Sequence, residues 1–567
     1  MREYDVLIDK FHDYFTQDGN VCVNLGVNRH LEDLPDPSME RSDAIAAQGR
    51  QLLAEIVSFP KGVLGFDEIL DLDLAALAVE FTVYKQTYTF NGKREVQQKP
   101  SAGADISDGI FLMFINDPRP SHERLDNITA RLEKVPTYLK DLLLTLDTPV
   151  KRWVDMDIEK VSGLPEFFST IYSWAEKEGY SGLERLKNAK QRAETALEEY
   201  LEKLRAMPVT PHFAMGREQA EAFIRLRGID KTPEELQAMA ARFLAATTSE
   251  IETLGARLIK KYDLPGHTSL DQLHQFLNQQ YRVKLENPGS LAGIIERYKE
   301  EREKIIKYLQ KEELFPMFKE QDMLIMQTPA FMAPSIPAGA MVSPPPFRPG
   351  IKTSMIYLTL SPELVDEHTE LSIPSMMIHE GIPGHHLQLA TAANHPSVVR
   401  RHMDALEQAE GWTTMLEDYM LDIGYMGELT DEARFCGKRD ISRIGARVAI
   451  DLYFMTGDKK YLDIGIDVDV TSSDPFVNAG RLLQKVTGFV PERVQAELNW
   501  YSQERAYPLC YLTGNQLVWE MKRDMEKAQK GKLEGRELDK AFHRVYLKAG
   551  AMPLTFLRKV FEHEKML

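Results

Sequence analysis

The sequence predicts a mostly α-helical body of two lobes around a cleft, with a small β-sheet beside a histidine-rich helix. Three observations predict this fold class. Long stretches such as 194–204 carry apolar residues at three- and four-residue steps with charge on the opposite face, which is typical of amphipathic helices. Short β-like runs cluster between 324 and 360. A dense group of histidine and glutamate residues follows them at 379–388.

The composition is that of a soluble globular protein. The chain has 567 residues, of which 43% are apolar and 27% charged, enough for several domains or for one large body of two lobes. The net charge of −17 argues against a nucleic-acid partner, which would require a basic surface. Nothing in the sequence indicates the oligomeric state.

Cysteine usage and hydropathy exclude two further classes. Cys22, Cys436 and Cys510 are odd in number and far apart, so they form neither a disulfide framework nor a metal-spaced cluster, and they suit a reducing compartment. The longest uncharged run, 323–347, contains six prolines and cannot be a membrane helix. We therefore expect no membrane span.

Residues 1–320 are predicted to be a helical lobe that forms one wall of the cleft. Ser38 is a candidate helix cap, and Pro136 is expected to kink or divide a helix over 122–146. The other clear helices are 69–84, 183–207, 233–262 and 291–314.

Residues 321–567 are predicted to carry the chemistry, although the two lobes are expected to form one intertwined unit. Runs at 324–329, 338–343 and 352–360 predict a small sheet, interrupted by a proline-rich bend at 344–349. Beyond the histidine-rich segment, helices are predicted over 397–424, 430–456, 474–488, 501–529, 537–549 and 553–565.

The stretch 375–388, Ser-Met-Met-Ile-His-Glu-Gly-Ile-Pro-Gly-His-His-Leu-Gln, is related to the zincin helix. In that helix two histidines one turn apart bind zinc, and the glutamate after the first acts as general base. His379 and Glu380 fit this pattern. The position four residues after His379 is Pro383, which cannot bind a metal.

The Pro383–Gly384 step decides which histidine is the second ligand. Proline removes an amide proton and crowds a carbonyl group, so a regular helix cannot continue through it. In a straight helix His385 would lie about 120° from the face of His379, and His386 would lie on that face but about 10.5 Å along the axis. If the step acts as a two-residue insertion, His385 takes the second position. We therefore favour His385, with His386 as the alternative.

A third ligand is expected from the segment 405–419. Glu410 and Glu417 are seven residues apart and share a helical face, and turn signals at 393–396 allow the chain to return. Three protein ligands and one water make a catalytic zinc site. We predict that His379, His385 and Glu410 bind Zn2+, with Glu417 as an alternate. The competing interpretation is a solvated helix end that binds no metal.

These motifs resemble a bacterial family known as domain of unknown function eight-eight-five. Its signature His-Glu-x-x-Pro-Gly-His-His-x-Gln is met by 379–388, and its Glu-Gly-Trp block by 410–412. Segments 25–35, 507–514 and 542–554 are similar to its opening and closing blocks. In one departure, the family often has a histidine after an Arg…Asp pair, and 447–455 has none.

The resemblance implies a zinc metallopeptidase-like protein and further site residues. A phenol near the metal would stabilise negative charge on the substrate carbonyl, and Tyr511 is the first candidate with Tyr507 second, core packing being the alternative. Arg447 and His543 lie at family-like positions and are candidate substrate-binding residues. The alternative for Arg447 is a pair with Asp451 on the same helical face.

The zincin architecture also implies a role for the small sheet. Zincins present an extended edge strand to a peptide, which makes Ala338, Gly339 and Ala340 the candidate substrate edge. A purely structural sheet is the alternative.

Together these features predict a zinc-dependent hydrolase that cleaves short peptides, with Glu380 activating the attacking water. Two alternatives stay open: a zinc amidohydrolase acting on a non-peptide amide or an amino-acid conjugate, and a metal-binding scaffold without catalysis. Because 1–6 lack a basic start followed by an apolar core, a cytoplasmic location is the default expectation. A trimmed secreted chain is the alternative, since some relatives resemble secreted lipoproteins.

Overall fold

The computed structural model describes residues 2–285, 291–328, 339–360 and 368–567. Within these ranges the protein is mostly helical, with twenty-two α-helices and five short strands, which confirms the predicted α class. None of the described helices is both long enough and apolar enough to cross a membrane, as predicted.

The chain forms two compact units. Unit 1 contains 1–219, 345–348 and 396–403, and unit 2 contains 220–344, 349–395 and 404–567. The division therefore falls near residue 219, and not at the predicted boundary between 1–320 and 321–567. The reason is packing: helices formed by residues after 219 pack on the helices of the histidine-rich region, as described below.

Unit 1 is a helical assembly. Ser38 caps one of its helices by accepting a hydrogen bond from the Arg41 amide at 3.1 Å, as predicted. The helix that contains Pro136 is continuous, so the predicted division is absent. The helices are α1 Glu3–Phe15, α2 Gly19–Leu25, α3 Met39–Ser58, α4 Phe66–Thr87, α5 Ala102–Ile115, α6 Ser121–Thr145, α7 Lys151–Lys177, α8 Leu183–Ala206 and α15 Val398–His402, and β1 Thr89–Phe90 pairs with β2 Lys93–Arg94. Helix α9, Arg217–Leu226, contains the boundary between the units.

Unit 2 contains the histidine-rich segment and the small sheet. Its helices are α10 Pro233–Lys261, α11 Leu270–Gln280, α12 Ala292–Glu312, α13 Ser372–Glu380, α14 His385–Ala393, α16 Leu406–Asp422, α17 Thr430–Thr456, α18 Pro475–Thr487, α19 Pro491–Gln503, α20 Cys510–Ala528, α21 Gly535–Lys548 and α22 Leu554–His563. Helix α10 packs on α17, α12 on α13, and α16 on both α13 and α20.

The three predicted β-runs form one sheet. Its strands are β3 Gln321–Gln327, β4 Gly339–Val342 and β5 Lys352–Leu358, in the order β3-β5-β4. Strand β5 pairs in parallel with β3 and antiparallel with β4. Strand β4 is therefore an edge strand, and a methyl group added at Gly339 would come within 2.4 Å of Met376 on α13. The edge strand thus lies against the helix that carries His379.

Candidate metal centre

The helix that carries His379 ends after Glu380, and a new helix begins at His385. The four residues between them include Pro383, which cannot continue a helix. A Cβ atom on Gly384 would lie 2.1 Å from the carbonyl oxygen of His379, so the turn requires glycine at this position. The two histidines therefore occupy separate helices, α13 and α14, which meet at this turn.

Helix α16 carries Glu410, which lies close to His379 and His385. The Trp412 indole donates a hydrogen bond from Nε1 to the carbonyl oxygen of Pro383 at 2.9 Å, which fixes the turn against this helix. On its other side α16 contacts α20 closely, since a Cβ on Gly514 would lie 2.0 Å from the carbonyl oxygen of Glu407. Two glycines, Gly411 and Gly514, allow this approach.

His379, His385 and Glu410 meet at one point. One ligand atom from each lies within 4.8 Å of the other two. Glu410 Oε2 lies 3.7 Å from Nε2 of His379 and 3.4 Å from Nε2 of His385. Zinc bonds of about 2.0–2.2 Å in a tetrahedron place neighbouring ligand atoms roughly 3.4 Å apart. The three side chains therefore fit a zinc ion.

The hydrogen bonding at the cluster also fits a cation. Glu410 Oε2 is buried and has no hydrogen-bond partner among the described residues, and the same holds for Nδ1 of His385. A buried carboxylate oxygen without a partner costs free energy. A metal ion bound to Oε2 would remove that cost.

Glu417 binds the other face of His379. Its Oε1 lies 2.7 Å from Nδ1 of His379. An Nδ1–H that donates to Glu417 leaves Nε2, which faces Glu410, as the atom that a metal would bind, and such a carboxylate–histidine–metal arrangement fixes the ring and increases its basicity. Glu417, which was predicted as an alternate ligand, thus orients His379. It lies two turns along α16 from Glu410.

The carboxylates control the protonation of this group. Burial lowers the pKa of His379, but the carboxylates of Glu410 and Glu417 beside the ring outweigh burial and raise the pKa to about 10. Burial raises the pKa of Glu410, but the positive charges of His385 and His379 outweigh it and lower the pKa far below the usual range. The group is therefore built to hold positive charge.

Glu380 and His386 lie on opposite sides of the turn 381–384. Glu380 is half-buried at the end of α13, and its negative charge also raises the pKa of His379. His386 is fully buried and lies 2.7 Å, by its Nδ1, from Ser354 Oγ on β5. Burial lowers the pKa of His386 to about 4. The structure thus brings His385, and not His386, to the cluster.

Tyr507 and Tyr511 lie beside Glu410. The hydroxyl of Tyr507 donates to Glu410 Oε1 at 3.4 Å, and the two tyrosine rings stack with centroids 5.9 Å apart. Both rings are half-buried. Burial raises the pKa of each phenol well above its usual value, so both are protonated donors at neutral pH.

Asp451 supports the turn that carries Tyr507. Its carboxylate accepts hydrogen bonds from the amides of Ala506 at 3.2 Å and Leu509 at 3.1 Å. Ala506 has φ of 56°, in the region that disfavours residues with a side chain. Asp451 therefore stabilises this turn, and among the described residues the alternative pair of Asp451 with Arg447 is not formed. No local sequence signal indicated this role.

Arg447 pairs with α19 instead. Its Nη2 donates to Glu497 at 2.9 Å and its Nε to the Tyr501 hydroxyl at 2.8 Å. The guanidinium carbon lies 4.4 Å from the centroid of the Tyr511 ring. Arg447 thus contacts the tyrosines next to the cluster.

His543 lies in the core of unit 2. It has no exposed surface, its Nδ1 hydrogen-bonds the carbonyl oxygen of Leu314 at 2.9 Å, and its ring stacks on Phe315 at 4.2 Å. Burial lowers its pKa to about 4. A fully buried ring offers no surface to a substrate, so the predicted contact is replaced by packing.

The predicted substrate edge is described in part. Gly339 and Ala340 belong to the edge strand β4, and Ala338 lies outside the described residues. The edge and the cluster are joined through α13, which contacts Gly339 and ends at His379 and Glu380.

Comparison with known proteins identifies the family. The chain belongs to the family described as "Bacterial protein of unknown function (DUF885)", which matches residues 22–560 and confirms the resemblance found in the motifs. No curated protein matches the chain.

Two solved structures share the fold. One is "a putative lipoprotein of unknown function from Shewanella oneidensis", with a TM-score of 0.78 and 16% identity over 99% of this chain and 100% of that one. The other is "the putative lipoprotein from Colwellia psychrerythraea", with a TM-score of 0.79 and 15% identity over 99% of each chain. These descriptions contradict the default expectation of a cytoplasmic location, since lipoproteins are exported.

Proposed function

We propose that the protein is a zinc-dependent hydrolase that cleaves peptide bonds in short peptides. The observation that carries the proposal is the convergence of His379, His385 and Glu410 on one point, with Glu410 Oε2 buried and without a partner among the described residues. A zinc ion bound there by three protein ligands would leave one position for water or substrate.

The residues around the cluster supply the remaining chemistry. Zinc, when bound, would polarise a substrate carbonyl and lower the pKa of a water to about 7. The Glu380 carboxylate, adjacent in sequence to His379, would accept the proton of the attacking water and pass it to the leaving amine.

Negative charge that develops on the carbonyl oxygen needs a donor. Tyr507 and Tyr511 are protonated phenols beside Glu410, and one of them would donate to that oxygen. A single donor of this kind is worth about 2.7–4 kcal/mol in the transition state. The edge strand β4 would align the peptide backbone by main-chain hydrogen bonds.

Glu380→Gln tests the proposal. The glutamine keeps the size of the side chain and cannot accept a proton, so we expect kcat on a cleaved peptide to fall by about 100-fold or more. Zinc content should stay at the wild-type level, because Glu380 is not a ligand. Glu428→Gln, the same change at an exposed position, is the control.

The assay is a library of short peptides incubated with zinc-loaded protein and analysed by mass spectrometry. Cleavage by wild type and by Glu428→Gln, with none by Glu380→Gln, supports the proposal. No cleavage of any peptide by zinc-loaded wild type would overturn it, and so would wild-type rates in Glu380→Gln.

A further inference from the structure

Arg447 is a buried cation with one edge of its guanidinium group filled. Only 8% of its side chain is exposed. Nε donates to Tyr501 and Nη2 to Glu497, and the Tyr501 hydroxyl in turn donates to the same Glu497 oxygen. Tyr501 and Glu497 thus act as one acceptor pair along the side edge formed by Nε and Nη2.

The end edge, formed by Nη1 and Nη2, is open. Within the described ranges Nη1 of Arg447 donates no hydrogen bond, and it is not fully enclosed by protein. A guanidinium group has five N–H donors, and two parallel N–H groups match the two oxygens of a carboxylate. The open edge is therefore suited to a planar anion.

The rings of Tyr511 and Tyr507 connect this edge to Glu410, one of the proposed metal ligands. The guanidinium carbon of Arg447 is 4.4 Å from the Tyr511 ring centroid, Tyr511 stacks on Tyr507, and Tyr507 donates to Glu410. An extended peptide covers about 3.3–3.6 Å per residue. A substrate that reaches the metal centre therefore needs only a few residues to reach Arg447.

A second arginine and an aromatic ring lie near Arg447. Arg443 lies one turn before Arg447 on α17 and pairs with Asp440. Burial and the positive charge of Arg447 lower the pKa of Arg443, but Asp440 outweighs both and raises it, so Arg443 stays charged and paired. The Trp500 ring lies 5.3 Å from the guanidinium carbon of Arg447, and an apolar wall of this kind strengthens a hydrogen bond between the guanidinium group and a carboxylate.

We propose that Arg447 binds a carboxylate of the substrate through its open edge, so that the enzyme selects peptides with a negative charge a few residues beyond the cleaved bond. This inference rests on the proposed function and specifies its substrate class. The carboxylate is either the free C-terminus of a short peptide or the side chain of an acidic residue, which have the same chemistry.

Three matched peptides distinguish these sources on the zinc-loaded full chain. The first is a cleaved peptide with a free C-terminus, the second is its C-terminal amide, and the third is an amide whose last residue is replaced by glutamate. We expect kcat/KM for the free acid to exceed that for the plain amide by about 10- to 100-fold, as expected for a charged hydrogen-bonded contact. Recovery in the glutamate amide assigns the side chain as the source, and no recovery assigns the C-terminus.

Arg447→Lys tests the residue itself. Lysine keeps the charge opposite Glu497 but cannot present two parallel N–H groups, so the preference for the acid over the amide should fall to within about threefold, mainly through KM. Arg481→Lys, the same change at an exposed arginine, should keep the full preference. The preference is a ratio within one sample and does not depend on how much of a variant is folded.

Equal cleavage of acid and amide by wild type would overturn this inference and leave the proposed hydrolase intact. An unchanged preference in Arg447→Lys would overturn the assignment to Arg447. Cleavage of no peptide in any form would overturn the proposed function, and this inference with it.

Discussion

Among the described residues, two pairs of histidine rings lie in contact, one pair in each unit. In unit 2 the rings of His379 and His385 have centroids 4.9 Å apart, and in unit 1 those of His12 and His402 are 5.1 Å apart. The spacing is nearly the same, but the chemistry is opposite.

The difference lies in what each nitrogen contacts. His12 Nδ1 and His402 Nε2 lie 2.8 Å apart and hydrogen-bond each other, among the rings of Phe11, Phe15 and Phe347. Burial lowers the pKa of His402 to about 3. One of these two nitrogens donates the hydrogen bond and the other accepts it, so neither is free to bind a metal.

In the other pair, both Nε2 atoms are directed at one carboxylate oxygen of Glu410, and Glu417 accepts from the remaining nitrogen of His379. The pKa of His379 is about 10. The comparison shows that ring proximity alone does not determine the protonation of the rings, and that the acidic residues around them decide whether positive charge is favoured.

The largest expected effect comes from removing one ring of the His379–His385 pair. His385→Ala removes a ligand, so we expect its zinc affinity to fall by at least about 100-fold. His386→Ala, a change of the adjacent residue, and His402→Gln in unit 1 should each stay within about threefold of wild type. Competition with a chromophoric chelator measures all three. A loss in His386→Ala with retention in His385→Ala would reverse the assignment.

The pH dependence of zinc binding should be the next largest effect. Because the pKa of His379 is raised to about 10 in the free protein, the ring carries a proton at neutral pH, and zinc must displace it. Affinity should therefore rise with pH, by roughly tenfold per unit up to the pKa.

Calorimetry in buffers with different ionisation enthalpies measures this proton directly. We expect about one proton released per zinc at pH 7–8. Binding without proton release would mean that the carboxylates do not hold His379 protonated.

Glu417→Gln should have a smaller effect on zinc. Glutamine still accepts the Nδ1–H of His379 but carries no charge, so the ring loses basicity and orientation, and affinity should fall by about 10- to 100-fold. The exposed change Glu428→Gln should leave affinity at the wild-type value. The same chelator competition measures both variants, and equal affinity in the two would exclude Glu417 from the site.

The smallest effect is expected from a change in the His12–His402 pair. His402→Gln should leave zinc binding unchanged and lower the free energy of unfolding by about 1 kcal/mol, the value of one hydrogen bond. Because the folded pKa of His402 is depressed to about 3, its contribution is present above the unfolded pKa of about 6.5 and is lost as pH falls towards 3. Denaturant titrations should therefore show wild type as the more stable protein at pH 7.5, with this advantage lost or reversed at pH 5. A loss of zinc affinity in this variant would contradict the contrast between the two pairs.

Much of the fold could be predicted from local pattern. Helices with strong periodicity, such as α8 Leu183–Ala206 and α17 Thr430–Thr456, begin and end within a residue of their predicted bounds. Pattern failed where a break depends on partners: 397–424 was predicted as one helix and is two, α15 and α16, and α19 Pro491–Gln503 was missed.

The candidate site was predictable where chemistry and spacing are local. The Pro383–Gly384 step indicated that His385, and not His386, lies beside His379, and the seven-residue spacing of Glu410 and Glu417 placed both on one face. The rest depends on contacts distant in sequence: Arg447 with Glu497, Asp451 with the turn at Ala506, and His543 with Leu314. Such contacts leave no local pattern.

Zinc content is the most direct test of the central claim. Wild-type protein supplied with zinc and then dialysed would be measured by elemental analysis, beside His379→Ala. The account predicts about one zinc per chain in wild type and essentially none in the variant. No retained zinc in wild type, or equal zinc in both, would contradict it.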